Sequence, residues 1–170
     1  MILIVKALMN TSHKSPRDRL VSVTLDEASI GAGTADQEHE RQIAIYDLLD
    51  ENFFALPGRD NGPYSLRISL HDAKLALDIR DARGEQAAVH VLSLTPFRGL
   101  LKDYFLICES YYQAIRTAVP TQIEAIDMGR RGLHNEAASL LMERLNGKIS
   151  CDMDTARRLF TLVTALHWKG

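Results

Sequence analysis

Two adjacent runs of alternating apolar and polar residues, 63–71 and 74–81, constrain the fold of this chain most strongly. Each run has the period of two that is typical of a strand with one buried face. A two-residue turn at Asp72-Ala73 would pair the runs so that their apolar residues share one face and Arg67 lies opposite Asp78. The sequence therefore predicts an antiparallel hairpin. Its expected pairs are Leu66 with Ile79, Ile68 with Leu77, and Leu70 with Leu75.

A third strand is expected over 86–94, after a turn at 81–84. Continuing the same register would place Val89 opposite Leu77 and Val91 opposite Leu75. His90 would then lie on the other face of the sheet together with Leu92 and Leu94. That second face would be partly covered by a helix or by a partner chain.

A fourth strand is expected over 19–25, where Val21, Val23 and Leu25 would share one face. Four helices are predicted from apolar periodicity and capping signals, over 36–55, 96–117, 121–146 and 153–168. The fold class is therefore α+β, with an antiparallel sheet of three to four strands packed by about four helices.

Capping signals accompany two of the predicted helices. Thr34 with Gln37, and Thr121 with Glu124, have the spacing of a capping box.

The helix at 96–117 carries an uninterrupted aliphatic and aromatic stripe, which we interpret as core packing rather than as a cofactor site. It is expected to be the central support of the sheet.

Length and composition fit one domain. A chain of 170 residues with 46% hydrophobic and 25% charged residues is expected to form a single α+β domain over 17–170. Residues 1–16 are expected to be a loosely attached arm, with an edge strand from Ile2 to Val5 as the alternative. The apolar start is too short to span a bilayer, so no membrane association is predicted.

Cysteine usage and charge suggest a compartment and argue against one class of partner. Only Cys108 and Cys151 occur, which favours reduced thiols and a cytoplasmic location. The net charge of −2 argues against nucleic-acid binding as a main role. Glycine-rich phosphate loops, HExxH and paired CxxC motifs are missing from the sequence, so neither a cofactor nor a metal site is predicted.

A polar decapeptide, 127–136, interrupts the apolar stripe of the helix predicted over 121–146. Its two glycines cost about 1 kcal/mol each relative to alanine in a helix interior, so some other interaction should offset them. Helical spacing brings Asp127 next to Arg130 and Arg131, and Arg130 next to His134. The candidate ligand-binding residues are Asp127, Arg130, Arg131, His134, Asn135 and Glu136.

Three interpretations of this decapeptide stay open. In the first, Asp127 and Arg130 neutralise each other in a structural network that ties the helix to the sheet. In the second, the arginines grip a phosphate or carboxylate with His134 and Asn135. In the third, His134 also acts as an acid or base near neutral pH.

The function is expected to be that of a small interaction or regulatory module without catalytic activity, because no catalytic motif is present. Its partner would be another protein or a second copy of the chain. The alternative is a binder of, or an enzyme acting on, a small anionic ligand at 127–136. A local nucleic-acid contact through the basic residues near position 130 is a third and weaker interpretation.

Besides the decapeptide, five further stretches carry a resemblance to a known family, and they lie at 19–27, 95–98, 102–110, 110–116 and 155–162. Together with 127–136 they resemble the signature of uncharacterised protein family 0262, over nearly everything after residue 17. The resemblance implies a bacterial, cytoplasmic protein. It implies no catalytic residue, since the family has no assigned activity.

Overall fold

The computed structural model of the protein describes residues 15–170, and the expected arm at 1–16 therefore lies almost wholly outside the described part. The fold is α+β, as predicted, with five helices, a four-stranded sheet and a two-stranded sheet. In chain order the elements are β1 (Leu20–Leu25), α1 (Glu27–Ile30), α2 (Ala35–Asp50), β2 (Phe54–Ala55), β3 (Tyr64–His71), β4 (Lys74–Arg80), β5 (Gln86–Ser93), α3 (Arg98–Thr117), α4 (Pro120–Leu145), β6 (Ser150–Cys151) and α5 (Met153–Ala165).

The large sheet has the order β1-β3-β4-β5 and is mixed, so the prediction of an antiparallel sheet is wrong for one strand. β1 runs parallel to β3, whereas β3, β4 and β5 form an antiparallel meander. The long connection through α2 explains the difference. A crossover of that length can return the chain to the starting end of the sheet, which a tight turn cannot do.

The β3–β4 hairpin has the predicted register. Leu66 pairs with Ile79, Ile68 with Leu77, Leu70 with Leu75 and Arg67 with Asp78. The apolar members of these pairs belong to the hydrophobic core, except Leu70, which is partly buried and packs against it.

The predicted register of β5 is wrong by one residue beyond the start of the strand. Arg80 pairs with Gln86, as that register requires, but Ile79 then pairs with Ala88, so Ala87 is an extra residue in a bulge. The shift turns Leu92 toward the core, with 5% of its surface exposed, and leaves Val91 54% exposed. His90, Leu92 and Leu94 therefore do not form a second apolar face.

A bulge in β1 has a similar effect at the other edge of the sheet. The register shifts between Leu20 and Ser22, so Leu20 is buried while Val21 is 46% exposed. Val21 therefore does not share the buried face with Val23 and Leu25, which pack against the core.

The central helix is α5 rather than the predicted 96–117 helix. α5 contacts α2 on one side and α4 on the other, whereas α3 packs mainly against α4. Most of α5 is buried, while α3 buries only Leu101 and Ala114 completely. Tyr112 on α3 is 69% exposed. A long apolar stripe on α3 was therefore a poor guide to its position in the fold.

Helix ends differ from the predictions where side chains or short strands intervene. α2 begins with the predicted Thr34–Gln37 capping box but ends at Asp50 rather than near residue 55. Asn52 stops it, because its amide donates to the carbonyls of Leu48 and Leu20, and Phe54–Ala55 then pairs with Ser150–Cys151.

α4 begins without the predicted Thr121 cap. Pro120 occupies the first turn, and Val119 is the capping residue without a side-chain bond. A 3₁₀ turn, Thr95–Phe97, precedes α3. Across residues 15–170, no helix combines the length and apolarity needed to cross a membrane.

Candidate functional site

The polar decapeptide 127–136 lies within α4, which continues through both of its glycines without a break. Four of the six candidate residues, Arg130, Arg131, His134 and Asn135, line one open cleft of about 480 Å³. The cleft is completed by Tyr104 from α3 and by Arg157 and Thr161 from α5. We call it the arginine cleft. None of these seven lining residues carries a carboxylate.

Asp127 is the anionic partner of two arginines on its own helix. Its Oδ1 lies 2.6 Å from an amino group of Arg130, and its Oδ2 lies 2.9 Å from an amino group of Arg131. The hydrogen bond from Arg130 holds the pKa of Asp127 below its usual value, and the charge of Arg131 acts in the same direction. Asp127 therefore stays ionised and holds both guanidiniums at the mouth of the cleft.

Aromatic side chains from α3 support Arg130. The guanidinium carbon of Arg130 lies 5.2 Å from the centre of the Tyr111 ring, which is within cation–π range. Tyr104 lies deeper, with its ring 5.7 Å from that of His134 and 5.6 Å from that of Phe160. Burial raises the pKa of Tyr104 to about 12, so its hydroxyl remains protonated. These contacts tie α4 to α3 rather than to the sheet.

His134 is the titratable group of the arginine cleft. Its Nε2 lies 2.9 Å from Oγ1 of Thr161, and that hydroxyl donates its hydrogen to the carbonyl of Arg157. Nε2 therefore carries the hydrogen of the neutral ring, and Nδ1 is the acceptor. Burial lowers the pKa of His134, and the charges of Arg157 and Arg130 add to the effect. The imidazole is thus neutral at pH 7.

Asn135 and Arg157 join α4 to α5. Nε of Arg157 donates to the side-chain oxygen of Asn135 at 2.7 Å, and its amino group pairs with Asp154 at 2.8 Å. Glu136 is exposed and does not line the cleft, and it forms no ion pair with another residue in 15–170. The structure therefore separates Glu136 from the other candidates.

Sequence reasoning missed Arg157, Thr161 and Tyr104. The first two lie on a helix interpreted only by its buried face, and the third was assigned to core packing. One signal could have found Arg157: a short connection, 146–152, makes α4 and α5 antiparallel neighbours. The polar residues on the solvent-facing sides of α4 and α5 then lie next to each other where the two helices pack.

The two glycines of the decapeptide have different surroundings. A Cβ on Gly129 would lie 2.8 Å from Cδ1 of Ile107 on α3, whereas a Cβ on Gly132 would meet no atom within 4 Å. Gly129 therefore permits the close approach of α3 to α4, which offsets its cost in helix propensity. Gly132 has no such packing role.

Metal chemistry finds no support in the geometry of the described chain. Within residues 15–170, no three His, Cys, Asp or Glu side chains converge as metal ligands would. The donors that do converge are guanidinium, amide and hydroxyl groups, which suit an anion.

Comparison with known proteins identifies the family. Residues 17–169 match the model of the uncharacterised protein family UPF0262. The chain belongs to this family. The predicted resemblance is thereby confirmed, and no activity is assigned to UPF0262 as a whole.

Curated UPF0262 relatives are similar along almost their full length. A UPF0262 protein of Phenylobacterium zucineum is 62% identical over 154 residues, which are 91% of this chain and 96% of the relative. One from Azorhizobium caulinodans is 64% identical over 161 residues, or 94% and 99% of the two chains. One from Rhizobium meliloti is 62% identical over 152 residues, or 89% and 96%. No solved structure matches the chain.

Proposed function

We propose that this protein binds a small phosphate- or carboxylate-bearing ligand in the arginine cleft. The observation that carries the proposal is the convergence of three guanidiniums, those of Arg130, Arg131 and Arg157, from two helices on one open cleft without a lining carboxylate. Arginine is the residue best suited to bidentate recognition of such anions. A volume of about 480 Å³ is in the range of small-molecule sites.

Charge balance around the cleft favours an incoming anion. Three guanidiniums are held by two carboxylates, those of Asp127 and Asp154, so one positive charge is in excess. Arg131 is also well placed to swing toward a ligand, because its side chain is 73% exposed. An exposed ion pair contributes only about 0–1 kcal/mol, so a bound anion can replace it at little cost.

The neutral imidazole of His134 gives the site a second kind of contact. With the hydrogen on Nε2 bonded to Thr161, Nδ1 can accept a hydrogen bond from a ligand hydroxyl or from a protonated phosphate. We propose binding as the function of the cleft. The interaction or regulatory module expected from the sequence stays a prediction, because nothing in residues 15–170 identifies a partner.

The two free cysteines support a cytoplasmic location as part of the proposal. Cys108 is half-buried, Cys151 is buried, and neither forms a disulfide. Burial raises the pKa of Cys151 to about 11, so it stays a thiol rather than a reactive thiolate.

Thermal unfolding in the presence of phosphate, pyrophosphate and citrate tests the proposal. At a concentration one hundred times Kd, a ligand stabilises the folded state by about 2.7 kcal/mol. For a chain of this size the Tm should rise by roughly 5–11 °C. Choline at the same ionic strength is the control, since it offers no anionic group to the arginines.

A matched pair of variants locates the binding. Arg131→Ala should weaken the best anion at least tenfold, because a charged hydrogen bond contributes about 1.5–3 kcal/mol. Arg144→Ala, at an exposed position on the same helix that does not line the cleft, should leave the affinity unchanged. The proposal fails if no anion raises the Tm of the wild type, or if the two variants bind equally well.

A further inference from the structure

A second cleft lies at the junction of α3 with the residues that follow α5. It has a volume of about 340 Å³ and shares no lining residue with the arginine cleft. Its apolar lining consists of Leu101, Phe105, Leu106 and Trp168. Its polar lining consists of Arg98, Lys102 and Lys169, and no carboxylate takes part. We call it the tryptophan cleft.

The three cations of the tryptophan cleft lack an ion-pair partner in the part of the chain that the structure describes. None of them forms an ion pair with another residue in 15–170. The guanidinium of Arg98 lies 5.7 Å from the centre of the Trp168 ring, and its side chain also packs against Gly170. In a chain whose net charge is −2, this is a local concentration of unpaired positive charge beside apolar surface.

The apolar part of the cleft is accessible to a ligand. Leu106 is 54% exposed and Trp168 is half-buried, whereas Leu101 beneath them is 3% exposed. Phe105 closes the floor on one side, where its ring stacks on His167 at 5.7 Å. An occupant would therefore gain apolar contact on a formed floor and meet positive charge at the rim.

We propose that the tryptophan cleft binds a small amphipathic carboxylate, an aliphatic or aromatic acid. The apolar part of the acid lies on Leu106 and Trp168, and its carboxylate meets the cations at the rim. Charge complementarity selects this class, because a neutral apolar ligand would leave three cations unpaired and a cationic one would be repelled. The proposal does not rest on the function assigned to the arginine cleft.

The single tryptophan of the chain provides a direct assay. Titration of the full-length protein with monomeric decanoate should give a saturable blue shift of Trp168 emission, because the ring leaves water when the acid binds. Decyltrimethylammonium has the same alkyl chain and the opposite charge, and it should bind at least tenfold more weakly.

Two variants with the same change in chemistry assign the site. Leu106→Glu places a carboxylate in the cleft at an exposed helix position, and it should weaken decanoate binding at least tenfold. Val91→Glu makes the equivalent change on the sheet, at a residue that is also 54% exposed, and it should bind as the wild type does.

Several results would overturn the proposal. They are the lack of a saturable emission change with decanoate, equal affinity for the two surfactants, or a Leu106→Glu variant that binds normally. Vesicles of phosphatidylglycerol provide the last arm. If they shift Trp168 emission while monomeric decanoate does not, the cleft contacts a lipid surface and the assignment to a small acid is wrong.

Discussion

The two glycines of α4 allow the helix packing to be tested by a matched pair of substitutions. Gly132→Ala should stabilise the protein by about 1 kcal/mol, because alanine is the better helix former and its Cβ would meet no atom within 4 Å. For a chain of this size the Tm should rise by about 2–4 °C. Urea denaturation at equilibrium, followed by circular dichroism, measures the change in the free energy of unfolding.

Gly129→Ala has the same helix-propensity gain and a steric cost. Its Cβ would lie 2.8 Å from Cδ1 of Ile107, so that methyl must move. Cδ1 is the end of a flexible, half-buried side chain that can rotate away, so the cost lies at the low end of the overpacking range, about 1 kcal/mol. The net effect should therefore be close to zero, and Gly129→Ala should be about 1 kcal/mol less stable than Gly132→Ala.

A double-mutant cycle separates the steric cost from other effects. Ile107→Val removes the obstructing methyl, so Gly129→Ala should become stabilising by about 1 kcal/mol in that background. Equal effects of Gly129→Ala in the two backgrounds would refute the packing argument. A destabilised Gly132→Ala would show that position 132 has a role other than the one its open surroundings indicate.

Two further predictions follow from the sheet register and from the histidines. Leu92→Ala should lower the free energy of unfolding by about 2–5 kcal/mol, whereas Val91→Thr should change it by less than about 0.5 kcal/mol. Similar losses for the two variants would contradict the bulge at Ala87. Burial lowers the pKa of His134, and the charge of Arg157 adds to the effect. Burial also lowers the pKa of His90, and the charge of Lys148 adds to the effect. As the pH falls, both imidazoles therefore bind a proton more readily in the unfolded chain than in the folded chain. The histidine contribution to the free energy of unfolding should therefore be complete at a pH above the ordinary histidine pKa, near 6.5, and should be lost as the pH drops below it. In urea denaturation, His134→Gln should show a smaller decrease in the free energy of unfolding between about pH 7.5 and about pH 5.5 than the wild type does.

The sequence was sufficient for features that depend on local pattern. The β3–β4 hairpin followed from alternation, a two-residue turn and the Arg67–Asp78 pair, which all specify one register. The spacing of Asp127, Arg130 and Arg131 likewise follows from helix geometry, whatever packs around it.

Features that depend on distant partners were not accessible in this way. The bulge at Ala87 leaves the pattern of β5 unchanged and reverses which residues are buried. The parallel pairing of β1 depends on the route taken by α2. α3 and α5 both have strong apolar stripes, and only their packing partners decide which helix is central. Arg157 entered the candidate site for the same reason, because it belongs to a different helix from the decapeptide.

The central position of α5 has a consequence for folding during synthesis. The β3–β4–β5 meander is complete once Ser93 has been made, but its apolar face is covered by α4 and α5, and α5 ends only at Ala165. At about 5–20 residues per second, translation needs roughly 4–14 s to cross that interval. Apolar collapse of such a chain takes at most about 100 μs. The nascent meander is therefore exposed to self-association for a period many thousands of times longer than collapse itself requires. Ribosome-associated chaperones therefore have both the time and the exposed surface to bind this protein before its core closes.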